Sequence, residues 1–150
     1  MRSRIIQRIQ DQAGRWSGNI YQLKAGMKLA LISLYQVVKH NTNGITSVHS
    51  QAWLHKCSWL EDPKTAMLRD LKETLQTLQR DNVMIIVGGD FNESNKNLGL
   101  HYMLATELGL QDIWDQQEAP ETHRRGSQCI DHIYMSQEMM EQHHGISRLS

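Results

Sequence analysis

The spacing of apolar residues divides the chain into alternating strand and helix segments. Ile5, Ile6 and Ile9 make Arg4 to Gln10 a short strand or a length of chain entering a sheet. After a break at Gly14-Arg15-Trp16-Ser17-Gly18, the runs Asn19 to Leu23 and Lys28 to Val38 flank Lys24-Ala25-Gly26-Met27, a short Gly-containing connection suited to a β-hairpin. The second run, Leu29 to Val38, is apolar at odd and even positions alike, the pattern of a central strand buried on both faces. His40 to Thr46 is rich in turn formers, and Ser47 is placed to cap a helix to about Leu60 that carries Trp53 and Trp59. Asp62-Pro63 opens a second helix, because Met67, Leu68, Leu71, Leu75 and Leu78 then recur on one helical face. Val83 to Val87 reads as a buried strand that opens into a loop at Gly88-Gly89. Asn97 to Leu108 reads as a helix stopped by Gly109, and Ile130 to Met135 as a last strand. The His- and Gln-rich stretch from about 138 to 150 is expected to be a loosely ordered tail. There is no internal repeat, linker or low-complexity segment.

A length of 150 residues with 39% hydrophobic and 21% charged residues predicts one globular domain and excludes a disordered or fibrous chain. No apolar run reaches the roughly 18 residues of a membrane span, and Met1-Arg2-Ser3-Arg4-Ile5 lacks the apolar stretch of a signal peptide. The expectation is an intracellular protein, cytoplasmic or nuclear, that is neither secreted nor bound to a membrane. Cys57 and Cys129 are too few for a disulfide framework and read as free thiols. Sixteen basic residues balance sixteen acidic ones, but unevenly along the chain. Up to residue 40, Arg2, Arg4, Arg8, Arg15, Lys24, Lys28 and Lys39 face the single acid Asp11, whereas ten acids face four bases from residue 89 onward. Such a split suits a metal-dependent enzyme acting on a polyanion, although taken alone it reads more simply as solvated surface.

The candidate chemistry lies in Gly89-Asp90-Phe91-Asn92, directly after the apolar run Val83 to Val87. A buried strand holds its last residues rigidly, and a carboxylate and a carboxamide two positions apart both face the cleft at its end. Asp90 offers hard oxygens to Mg²⁺, and Asn92 an amide donor for a phosphate oxygen or the attacking water. A Walker B strand would require a Gly-Lys-Ser/Thr phosphate loop, which is missing. A calcium-binding EF-hand loop starting at Asp90 would place Asn95 and His101 where Gly and Glu are required. Asn92-Glu93-Ser94 fits a glycosylation sequon, idle in a protein that is not secreted. The residues by themselves leave open a turn in which Asp90 and Asn92 merely cap the backbone. Among the eight histidines, His55 and Cys57 point to different helix faces, His143 and His144 sit in the tail, and His40, His49, His101 and His123 show no ligand spacing. All read as surface or core residues.

Gly-Asp-Phe-Asn after an apolar strand resembles the signature of the endonuclease/exonuclease/phosphatase superfamily, metal-dependent phosphodiesterases built as a four-layer α/β sandwich. Two further segments fit in order: Leu31 to Tyr35 resembles the family strand ending in an active-site Tyr, and Ser127-Gln128-Cys129-Ile130-Asp131-His132-Ile133-Tyr134 resembles Ser-x-Arg-Ile-Asp-Tyr-Ile. Leu110-Gln111-Asp112-Ile113-Trp114 and Thr122 also match family positions, and Gly14-Arg15-Trp16 adds to a likeness with retrotransposon endonuclease domains. The resemblance, which spans about residues 4 to 137, implies a truncated sandwich of this type and Mg²⁺-dependent cleavage of DNA, with Mn²⁺ as an alternative ion. It implies that Tyr35 contacts the scissile phosphate, that Asp90 binds the metal or activates water, and that Asn92 joins it at the metal and orients phosphate and nucleophile. Asp131 would orient a catalytic His. It further implies a reverse-transcriptase region in a longer parent protein, and says nothing of oligomeric state. No Glu precedes Glu61, and no Ser-Asp-His follows Asp131, so both the family's metal-binding Glu and its terminal His would lie outside this sequence. The segment by itself is therefore expected to show little activity. An inactive remnant serving as a binding module, or a phosphatase of the same fold, is the alternative, and Asp131-His132 as the terminal Asp-His pair is a minor one.

Overall fold

The fold is described from a computed structural model that covers residues 4–36, 63–92, 99–113 and 131–139. The expected helix from Ser47, both cysteines, Trp114, Thr122, the stretch beyond residue 139, and every histidine except His101 and His132 lie outside the described residues.

Six strands make one sheet: β1 (Arg4–Gln10), β2 (Trp16–Gln22), β3 (Lys28–Tyr35), β4 (Val83–Asp90), β5 (Gln111–Asp112) and β6 (Asp131–Met135), in the order β1-β2-β3-β4-β6-β5. Only β3 and β4 run parallel; the other neighbours are antiparallel. The β2–β3 hairpin forms where the Gly-containing connection predicts it, with Ala25 and Gly26 both at positive φ, 57° and 74°. Helix α1 (Pro63–Arg80) lies in the crossover between the parallel strands, as a parallel pair requires. It ends where Asn82, at φ 56°, turns left-handed and donates its N–H to the Gln79 carbonyl. A second helical segment begins as α2 (Gly99–Tyr102) and continues through a π turn over Met103–Glu107. Gly109, at φ 68°, then stops it as its sequence position predicts, and Leu110 N–H closes onto the Leu104 carbonyl.

The helical stripe Met67, Leu71, Leu75 and Leu78 and the strand residues Ile20, Ala30, Ile32, Leu34, Val83, Ile85 and Val87 form one core, joined by Leu100, Leu104 and Leu110. The pairing Ala30↔Ile85 and Ile32↔Val87 shows why: paired residues share a face, and α1 covers this one. Several sequence expectations change. The break expected over residues 14–18 ends early, because Trp16, Ser17 and Gly18 pair with Leu34, Ser33 and Ile32 and open β2, and β5 was not expected. The first apolar strand stops at Tyr35 rather than Val38 and alternates, with Ala30, Ile32 and Leu34 buried but Leu31 and Tyr35 each 40% exposed. Its apolar residues at odd positions thus lie on a face that nothing among the described residues covers. The strand expected to end at Val87 continues through both glycines to Asp90, because Gly88 and Gly89 keep pairing with β3 and with β6.

Arg15 does not belong to a solvated basic edge. It is 4% exposed, donates to Asp11 at 2.7 and 2.9 Å and to Asp70 on α1 at 2.9 Å, and stacks its guanidinium 4.7 Å from the Trp16 ring centroid. Three charges thereby fasten the β1–β2 turn to α1.

Candidate functional site

The candidate residues meet at the carboxyl ends of the parallel strands, where open α/β sheets bind their ligands. Tyr35 closes β3 and is paired with Asp90 at the end of β4, which on its other side is paired with Asp131 at the start of β6. Residues paired across strands point to the same face, so Tyr35, Asp90 and Asp131 form one row on the side away from α1. Below them the next row is Ser33, Gly88 and Ile133, whose small members open a shallow depression also lined by Ser17 and Asn19. Tyr35 and Asp131 are exposed and Asp90 is half-buried. Three residues separated by 55 and 41 positions in the chain are thus brought side by side by register alone.

The strand end is fixed by backbone hydrogen bonds. Gln36 N–H donates to the Asp90 carbonyl at 2.9 Å, Tyr35 N–H to the Arg15 carbonyl at 3.0 Å, and Asn92 N–H to Asp90 Oδ1 at 3.1 Å. Asn92 takes a left-handed φ of 47°, which Asn tolerates better than most residues. Its carboxamide donates to the Gln36 carbonyl at 2.5 Å. Both the turn reading and the site reading of this segment therefore have a physical basis: Asp90 and Asn92 hold the local backbone, and the row places Asp90 beside Tyr35 and Asp131. The Gln36 side-chain oxygen is buried with no hydrogen-bond partner among the described residues, one more oxygen at this end of the sheet.

Phe91 points the other way, fully buried against a second group of polar side chains that the sequence did not single out together. His132 Nδ1 is hydrogen-bonded to Asp112 Oδ2 at 3.0 Å, and His101 Nδ1 to the Tyr134 hydroxyl at 2.7 Å. The two imidazoles meet edge to face with centroids 4.4 Å apart, and the Phe91 ring lies 5.2 to 5.8 Å from those of His101, His132 and Tyr134. His101 is thus the core residue that its lack of ligand spacing suggested, but it is not alone there. The only sequence signal for the group was Asp112 and His132 lying in two of the recognised segments. Their pairing depends on β5 lying beside β6, across a stretch of chain that no spacing argument spans.

No protein-family model matches the chain, and no curated protein matches its sequence. Among solved structures, the human Nocturnin catalytic domain with bound sulfate anion superposes with a TM-score of 0.60 at 18% identity, over 91% of this chain and 49% of that one. TDP2 of D. rerio, complexed with single strand DNA product, gives a TM-score of 0.46 at 16% identity, over 89% of this chain and 53% of that one. Both neighbours belong to the endonuclease/exonuclease/phosphatase superfamily. The likeness to Nocturnin shows that the chain has the α/β fold of that group, and the chain spans about half of that neighbour's length.

Proposed function

We propose that this chain supplies the strand-end part of a Mg²⁺-dependent phosphodiesterase centre that cleaves DNA, as in the retrotransposon endonucleases its sequence resembles. The observation that carries the proposal is the row Tyr35, Asp90 and Asp131 across three adjacent strands. The donors fit the ion: Mg²⁺ takes one or two carboxylates and keeps water and phosphate oxygens for the rest of its shell, and Asp90 and Asp131 are two carboxylates at one register position. Bound there, the ion would neutralise charge on the phosphate and acidify water. Asp90 would hold it together with the Asn92 carboxamide oxygen, while Asp131 bounds the same position from β6. The Tyr35 hydroxyl donates to a non-bridging or leaving oxygen of the phosphate. Mn²⁺, with the same preference for oxygen, is the alternative ion. The sulfate bound to Nocturnin supports an anionic group as the ligand of this fold.

The test is nicking of supercoiled DNA by the chain, alone and joined to segments that supply the family's Glu and terminal Ser-Asp-His, with and without Mg²⁺. Asp90→Asn is expected to slow nicking on the order of 10²-fold or more, by analogy with the loss of one electrostatic stabiliser. Tyr35→Phe removes one hydrogen bond to a charged oxygen, worth about 1.5 kcal/mol, and should slow it about tenfold with little change in Tm. Chelation of the divalent ion should abolish cutting. Undiminished cutting by Asp90→Asn would remove the site from this strand end.

A further inference from the structure

We propose that His101, Asp112 and His132 form a buried site for one divalent transition ion of the Zn²⁺ type, distinct from the Tyr35–Asp90–Asp131 row. A donor atom from each of the three residues lies within 4.8 Å of the others, and the residues are 0%, 2% and 3% exposed. They come from three separate elements, α2, β5 and β6, so an ion among them would fasten the second helical segment to the edge of the sheet.

Two features favour an ion over chance proximity. His132 Nδ1 and Asp112 Oδ2, which share a proton at 3.0 Å, already stand close to the roughly 3.3 Å edge of a tetrahedron whose bonds are about 2.0 Å long, and an ion bound there would displace that proton. The second feature is the surroundings. A carboxylate and two imidazoles inside the core that holds Phe91, Leu100 and Leu110 are costly to desolvate, and a divalent ion compensates their charge and dipoles at one point. The Tyr134 hydroxyl on His101 Nδ1 fixes that ring's orientation, as partners behind a metal-bound imidazole commonly do. Two nitrogens and one oxygen select Zn²⁺, Co²⁺ or Ni²⁺ over Mg²⁺, so this ligand class differs from the one suited to Asp90 and Asp131.

The proposal does not depend on the nuclease reading, and one titration separates them. Chelator-stripped, dialysed protein is titrated with Co²⁺ in excess Mg²⁺, its visible absorption is recorded, and Zn²⁺ is then added as competitor. The folded wild-type chain should bind one Co²⁺ with the intense visible bands of a tetrahedral site, lose them to Zn²⁺, and gain thermal stability. Asp90→Asn should keep those bands, whereas His101→Gln and His132→Gln should weaken binding tenfold to a hundredfold or more. Far-UV circular dichroism identifies any variant that fails to fold, and the wild-type titration decides the question in that case. Absence of a Co²⁺ band in the folded wild-type chain overturns the proposal, as does an undiminished band in either folded histidine variant. The four side chains would then be a hydrogen-bonded core network only. Loss of the band in Asp90→Asn also overturns it, by placing the ion on the other face.

Discussion

Gly89→Ala is expected to lower unfolding stability by about 4 kcal/mol or more, read as a drop in the urea midpoint. Gly89 has φ 145°, a region closed to L side chains, and a Cβ built on it would lie 1.9 Å from the Leu34 carbonyl oxygen. That oxygen belongs to the backbone of a paired strand, so no side-chain rotation relieves the clash and β3 must separate from β4. The separation would fall beside the Tyr35↔Asp90 pair. Gly26→Ala is the control, since Gly26 has φ 74° but nothing within 4 Å of a new Cβ. It should cost only about 1 kcal/mol, from backbone strain alone. Equal losses at the two positions would show that the close packing of β3 on β4 at Leu34 does not matter.

Removing the Arg15 guanidinium has the second large effect. Arg15→Ala leaves the Asp11 carboxylate, 7% exposed, and the Asp70 carboxylate, 26% exposed, without their shared cation, and is expected to cost about 3 to 5 kcal/mol. Burial tends to raise the Asp11 carboxyl, but hydrogen bonds from the Arg15 side chain and backbone, with its positive charge, outweigh this and hold it below the usual carboxylate range. Asp11 thus contributes stability that is complete above the unfolded carboxylate value and disappears as pH falls through the lower folded one. Unfolding midpoints measured between neutral pH and strong acid should fall steeply at the acid end. In Asp11→Asn that part of the fall should be missing. The same substitution tests a connection to the candidate site, because the Arg15 carbonyl accepts the Tyr35 N–H. Loosening the β1–β2 turn should therefore raise amide exchange at Tyr35 before the rest of β3.

Much of the local structure was legible in the sequence because short-range rules decide it. Five leucines and methionines at helical spacing fix α1, Pro63 opens it, and Gly109 ends the second helical segment through its backbone freedom. Gly-Asp-Phe-Asn after an apolar run marked the strand end that the fold places beside Tyr35 and Asp131. Other features were not legible. The odd-numbered apolar residues of β3 read as buried on both sides, yet only pairing with β2 and β4 under α1 decides which face the core takes. The two glycines after Val87 read as a loop, because the space that lets them stay paired belongs to Leu34 and Ile133 on neighbouring strands. Arg15 looked like one of seven early cations until Asp70 approached it from a helix 55 residues away.

The sequence by itself determined most of the strands and helices among the described residues and singled out the strand end at Asp90, since propensity and periodicity act over a few residues. Only the tertiary structure decided which of those residues share a site. Strand register set Tyr35, Asp90 and Asp131 in one row on the open face and gathered His101, Asp112 and His132 beneath the other. The physical reason is that a one-residue slip in pairing would move every side chain of a strand to the opposite face, and register is fixed by packing between strands distant in the chain.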